Sequence, residues 1–160
     1  MTRTGIGYDS HRFAEGRPLI LGGVTIPGSR GLAGHSDADV LAHAIVDALL
    51  GAAALGDIGR HFSDKDEAWK NAPGSLFIER SLDLLSKRGM KPVHIDSTLI
   101  AETPQLAPHI DAIRANLAGF LKLPLDSVSV KATSNEGMGA LGRGEGMAAM
   151  AVATIEENDA

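Results

Sequence analysis

The chain contains no cysteine, which excludes a disulfide framework and a thiolate metal site, so any zinc must be held by nitrogen and oxygen. It has no run of lysine or arginine, and its formal net charge is −5. Such a surface does not suit nucleic acid or an anionic membrane, and a phosphate ligand must be met locally, by metal or by backbone N–H groups. No apolar stretch approaches the ~20 residues that a membrane span needs. Met1-Thr2-Arg3-Thr4 leads into the first patterned segment without an apolar leader, which reads as cytoplasmic. No internal repeat or low-complexity linker is found.

What is present is a chain of 160 residues, suited to one domain over 1–160 that buries roughly two-thirds of its unfolded surface. Gly5-Ile6-Gly7-Tyr8 predicts a first strand to about Tyr8, ending in Asp9-Ser10-His11. Leu19-Ile20-Leu21 and Val24-Thr25-Ile26, separated by Gly22-Gly23, predict a hairpin. Ser36 stands as an N-cap with Asp39 three residues on, in the manner of a capping box, and predicts a helix over 37–54. Further helices are expected over 74–87 and 105–121, with strands over 93–101, 127–133 and 147–155. This order predicts an α+β, ferredoxin-like α/β plait: a mixed four-stranded sheet with helices on one face, plus a small N-terminal hairpin. The other face then needs cover, and self-association is the simplest cover.

In an extended segment Asp9 and His11 share a face, so a carboxylate and an imidazole point together and make half of a tetrahedral metal site. On the following helix Asp39, His43 and Asp47 recur every fourth residue and lie along one line. His43 is the candidate third ligand, with Asp39 and Asp47 placed to accept its other N–H. His35 and Ser36 precede the helix, where the dipole and free N–H groups favour an anion; Ser36 reads equally well as a simple N-cap. Gly56-Asp57-Ile58-Gly59, leading to Asp64, has the glycines that let backbone approach a ligand, though an ordinary helix exit also fits. Glu136 is a hard oxygen donor suited to Mg²⁺ or Mn²⁺, and in isolation reads as a solvated carboxylate. Arg143 and Glu145 form an opposed pair between glycines, and His61, His94 and His109 have no partner pattern.

Taken in order, Gly5-x-Gly7-x-Asp9-x-His11, His35-Ser36-Asp37-x-Asp39-Val40, His43, Asp57-Ile58-Gly59, Lys131-Ala132-Thr133 and Gly142-Arg143-Gly144-Glu145-Gly146 resemble the 2-C-methyl-D-erythritol 2,4-cyclodiphosphate synthase family over nearly the whole chain. The resemblance implies a homotrimer with active sites between neighbouring subunits, in the non-mevalonate route to isoprenoid precursors. The implied reaction is a phosphorus–oxygen lyase step. In it, 4-diphosphocytidyl-2-C-methyl-D-erythritol 2-phosphate cyclises to 2-C-methyl-D-erythritol 2,4-cyclodiphosphate and releases CMP. The resemblance further implies Asp9, His11 and His43 as zinc ligands, and Glu136 as a ligand of a second divalent ion, Mg²⁺ or Mn²⁺, at the diphosphate. His35, Ser36, Asp57, Ile58, Gly59 and Asp64 match the pocket for the methylerythritol phosphate. Ala101, Pro104, Gln105, Leu106, Ala132, Thr133 and Ser134 match the cytidine pocket, with His35 and Thr133 supporting the transition state. Arg143 and Glu145 match residues at the trimer axis, where some members hold an isoprenoid diphosphate in an apolar channel. Gln105 stands where many members carry lysine, so a cation expected near the nucleotide is missing. Two rival readings use the same residues. One is a zinc phosphohydrolase with water at the open metal position; the other is a non-catalytic trimeric module that binds nucleotide or isoprenoid diphosphate around a structural metal.

Overall fold

Residues at the odd positions from Gly5 to His11 are partly or fully buried and those at the even positions from Ile6 to Arg12 are exposed, the period of a strand with one covered face. In a computed structural model describing residues 1–158, that strand, β1, runs Thr2–Ala14. It is followed by β2 (Leu19–Leu21), β3 (Val24–Ile26), β4 (Gly31–Leu32), α1 (Val40–Ala52), α2 (Ile58–His61), α3 (Gly74–Ser86) and β5 (Met90–Ile100). The chain then forms α4 (Ile110–Leu121), β6 (Val128–Thr133), α5 (Gly139–Gly142) and β7 (Gly146–Glu157). The hairpin of β2 and β3 turns through Gly22 and Gly23, at φ +55° and +76°, the left-handed pair that a tight two-residue turn requires.

The main sheet has five strands, in the order β4-β1-β7-β5-β6. This corrects the expected four: Gly31 and Leu32, outside every expected strand, pair with Ala14 and Phe13 and extend the edge. Two residues are too few to carry a period. The ferredoxin-like expectation also fails, because a parallel pair, β5 and β6, joined through α4, sits beside antiparallel β7. That element order, with three helices between β1 and β5, differs from the β-α-β-β-α-β plait. Strand β1 continues past Tyr8 because its backbone stays paired with β7 to Arg12 and Gly146, so Asp9 and His11 lie within the strand.

Helix α1 is the centre of the core. The spacing predicts a polar stripe, yet the helix is buried on nearly every side: Leu41, Ile45 and Leu49 are wholly buried, as is the N-cap Asp39, and His43 keeps only 8% exposure. Each fully buried leucine or isoleucine contributes about 1.5–3 kcal/mol. The helix starts at Val40 with Asp39, not Ser36, as its N-cap. The Asp39 carboxylate accepts from Ala42 N at 3.1 Å, Gly22 N at 3.0 Å and Gly23 N at 2.9 Å, so it also fastens the hairpin turn to the helix. It thereby occupies the helix end that His35 and Ser36 were expected to offer to an anion.

α1 lies against β1 and β7 through small residues. A methyl group added at Gly7 would fall inside the Ala44 carbonyl oxygen and stand 2.7 Å from Ala48 N; one at Gly5 would stand 3.0 Å from Ala52 Cα. The opposite face of the sheet exposes Ile6 (66%), Tyr8 (54%), Met150 (41%) and Val152 (39%), which neighbour one another across β1 and β7. Gly7→Ala must push the helix off the strand. We expect it to cost roughly 3 kcal/mol or more in urea denaturation; a loss below about 1 kcal/mol would show that the approach is not tight.

Candidate metal centre and pocket

The ligand trio assembles where the small-residue seam ends. Two and four residues beyond Gly7, on the same face of β1, stand Asp9 and His11, and next to Ala44 on α1 stands His43. One donor atom from each lies within 4.8 Å of the others. Asp9 Oδ2 is 2.7 Å from His11 Nε2 and 3.1 Å from His43 Nδ1. The remaining ring nitrogens are held from behind: His11 Nδ1 donates to the Ala33 carbonyl at 2.7 Å, and His43 Nε2 bonds to Ser36 Oγ at 3.2 Å. That assignment leaves His11 Nε2, His43 Nδ1 and an Asp9 oxygen as the converging donors. Two imidazole nitrogens and one carboxylate oxygen fit a zinc-like ion with one position open.

The carboxylates expected to support His43 have other partners among the described residues. Asp39 is consumed by the three amides named above, and Asp47 accepts from Ile58 N at 2.7 Å, fixing the start of α2. Helical spacing put both on the right line, but buried N–H groups competed for them and won. Burial raises the Asp39 carboxyl, with the neighbouring Asp37 charge adding to it, and burial also raises Asp47. At Asp9 burial pushes upward too, yet hydrogen bonds from His11 and His43 and their charge outweigh it, bringing the carboxyl down to about 2. At His11 burial pulls down, but the bond to Asp9 and its charge raise the imidazole above its ordinary value.

A pocket of about 450 Å³ opens over the trio and is lined by His35, Ser36, Ile58, Gly59 and Asp64, all anticipated in the sequence. Asp57 does not line it; its carboxylate caps α2, accepting from Arg60 N at 2.9 Å. Phe62, Trp69 and Phe77 were missed, and they form the apolar wall, with ring centroids 5.0 to 5.6 Å apart and Phe77 edge-on to His43 at 5.5 Å. The chain has 4 Phe, 1 Trp and 1 Tyr, so three of its six aromatics gather here. That scarcity was a usable signal.

A second cluster stands apart. Ala101, Pro104, Gln105, Leu106, Ala132, Thr133 and Ser134 do not line the pocket. They sit at and just beyond the ends of β5 and β6, where Ala101 N bonds to the Thr133 carbonyl at 3.0 Å. Glu136 is exposed and accepts from Ser134 Oγ at 3.2 Å, and Glu102 ties down the same turn by accepting from Asn135 N at 2.9 Å. A carboxylate with one light partner fits a hard ion that takes most of its ligands from water and phosphate. Ser10, Ala148, Ile100 and Thr133 form one row across β1, β7, β5 and β6. The two clusters therefore share an end of the sheet but stand three strand spacings apart, about 14 Å. Arg143 and Glu145 pair on the surface at 3.0 Å.

A model described as the YgbB family matches residues 2–156. The chain is 56% identical over 154 residues to the 2-C-methyl-D-erythritol 2,4-cyclodiphosphate synthase of Salinibacter ruber, covering 96% of this chain and 98% of that one. Among solved structures it resembles a 2C-methyl-D-erythritol-2,4-cyclodiphosphate synthase in a CDP-bound form, with 38% identity and a TM-score of 0.89, over 96% of this chain and 100% of that one. It also resembles the bifunctional IspDF of Campylobacter jejuni, with 41% identity and a TM-score of 0.95, over 99% of this chain and 43% of that longer one.

Metal uptake should depend on pH in a defined direction. Below the raised His11 value an ion must displace the imidazole proton, whereas Asp9 stays ionised down to about 2. In zinc titrations of metal-free protein between about pH 5 and 9, apparent affinity should rise about tenfold per pH unit, then level off. The bend should fall above that of a free imidazole; a bend below it would contradict the Asp9–His11 coupling.

Proposed function

Because the chain belongs to the YgbB family of 2-C-methyl-D-erythritol 2,4-cyclodiphosphate synthases, we propose that it converts 4-diphosphocytidyl-2-C-methyl-D-erythritol 2-phosphate to the 2,4-cyclodiphosphate and CMP, a phosphorus–oxygen lyase reaction of isoprenoid precursor synthesis. The observation that carries this reading is the convergence of Asp9, His11 and His43, each imidazole held by a partner behind it, at one side of the pocket. An oxygen of the substrate's own 2-phosphate attacks the β-phosphorus. The bond from that phosphorus to the bridging oxygen breaks, and CMP leaves with the electron pair. No protein nucleophile is required, and the work of the chain is positioning and charge.

His35 and Ser36 hold the methylerythritol phosphate, with the Ile58–Gly59 backbone and Asp64 opposite and the Phe62, Trp69 and Phe77 wall excluding water. Ala101, Pro104, Gln105, Leu106, Ala132 and Ser134 receive the cytidine, and Thr133 approaches the diphosphate. When bound, zinc at Asp9, His11 and His43 supplies Lewis acidity and a template, and Mg²⁺ or Mn²⁺ at Glu136 supplies charge neutralisation. The setting is the cytoplasm, and no helix of the described residues is long and apolar enough to cross a membrane.

The assembly is a homotrimer. Two features support it: the apolar face of Ile6, Tyr8, Met150 and Val152 needs cover, and the nucleotide cluster stands too far from the metal pocket of its own chain, so a neighbour's cluster completes each site. Arg143 and Glu145 then approach the axis, a place for an isoprenoid diphosphate. Val152→Lys should yield a monomer in sedimentation that retains zinc and releases no CMP; an active monomer would overturn the shared site. In ¹⁸O water the cyclic product should carry no label, because the nucleophile is the substrate's own phosphate. Chelation of the metal should abolish CMP release with the far-UV spectrum unchanged. Appreciable label in the product would favour hydrolysis instead.

A further inference from the structure

Four consecutive carbonyls in the segment that presents His35 and Ser36 are all taken, by three partners. Ala33 O accepts from His11 Nδ1 at 2.7 Å, and His35 O accepts from Asn71 N at 2.9 Å. The other two, Gly34 O and Ser36 O, accept from Arg17, whose two terminal guanidinium nitrogens reach them at 2.6 and 2.5 Å. The backbone bends at residues 34 to 36, and with the carbonyls of 34 and 36 gripped by one side chain, that of 35 between them needs its own partner. Asn71 supplies it.

Arg17 comes from the connection between β1 and β2, does not line the pocket, and is itself braced: Gly31 packs so close that a methyl there would stand 2.6 Å from the Pro18 carbonyl oxygen. The segment it grips runs into Ala38 at φ +57°, a left-handed conformation that costs a non-glycine residue roughly 1–2 kcal/mol and persists only where neighbours hold it.

We propose that Arg17 is a positioning residue for the substrate pocket: its planar fork holds the carbonyls on both sides of His35 and so sets the direction in which His35 and Ser36 enter the site. The consequence for turnover rests on the cyclodiphosphate synthase reading. Arginine suits the task because it offers two donors in one plane, whereas lysine keeps the charge and loses the fork.

The test uses the full chain with Arg17→Met, which retains the apolar stem, and Arg17→Lys, which retains the charge. In hydrogen–deuterium exchange without substrate, both variants should lose protection about tenfold in peptides covering 33–39 and stay unchanged in α3 and α4. In steady state both should lower kcat about tenfold or more, because a pocket group displaced by about 1 Å loses that much. CDP affinity should stay within about threefold of the parent, since the nucleotide cluster at the ends of β5 and β6 stands apart from this segment. Unaltered exchange in 33–39, or full recovery of kcat by lysine, would overturn the proposal; if the methionine variant does not fold, the lysine variant gives the same two readings. A parent protein that releases no CMP would overturn the synthase reading, and the exchange result would still decide whether Arg17 holds the segment.

Discussion

The close approach of α1 to β1 is the constraint on which the rest of the structure depends. Glycines at positions 5 and 7 on the strand and alanines at 44, 48 and 52 on the helix leave backbone nearly against backbone. A helix with bulky contact residues could not lie so near a sheet. Where the small residues stop, the next side chains on the same face are Asp9 and His11, and beside Ala44 comes His43. The trio meets because the seam beneath it is thin. Packing and chemistry are therefore a single arrangement at this point, and a methyl group added two residues away acts on both.

The buried acids divide according to what faces them. Asp39 faces amides of α1 and the hairpin turn, and Asp47 faces the first amide of α2; burial dominates both, and both carboxyls are raised. Asp9 faces two imidazoles, and there hydrogen bonds and charge overcome burial. The contrast follows from the partner: an amide offers a dipole, whereas an imidazole can offer a full charge. Asp37 accepts from Gly74 N at 2.9 Å and so fastens α3 to the same corner. The hairpin, α1, α2 and α3 are tied by carboxylates around the candidate metal site, and Asp9 is the carboxylate that faces its imidazoles.

Much of this was legible in the sequence, in a graded way. Local periods located the hairpin, α3 and the central helix, and strand spacing put Asp9 and His11 on one face. Neighbourhood across the sheet was not legible, because pairing of β4 with β1 joins two residues to a distant strand and insertion of β7 between β1 and β5 joins β1 to residues over a hundred positions away. The N-cap moved from Ser36 to Asp39 for a related reason. Both residues can cap, and the choice was made by the distant Gly22 and Gly23 amides, which needed the same carboxylate. Phe62, Trp69 and Phe77 come from a helix exit, a loop and a helix face, so no single period contains the wall they form. Arg17 carried no signal at all, since its partners are backbone carbonyls, which every sequence has.

On the proposed reading an acidic chain receives a triply phosphorylated substrate without a basic surface, so positive charge must come in small, directed amounts. His11 Nδ1 donates to Ala33 O, and the bond to Asp9 with its charge raises the imidazole above its ordinary value, so the pair favours positive charge where a cation is wanted. A divalent ion held there would add to that charge with the backing bonds to Ala33 and Ser36 still in place. The fixed geometry and the raised imidazole have the same origin. The carboxylate that draws the two rings together also raises the His11 imidazole, so the three candidate ligands are assembled during folding and not at the moment of binding.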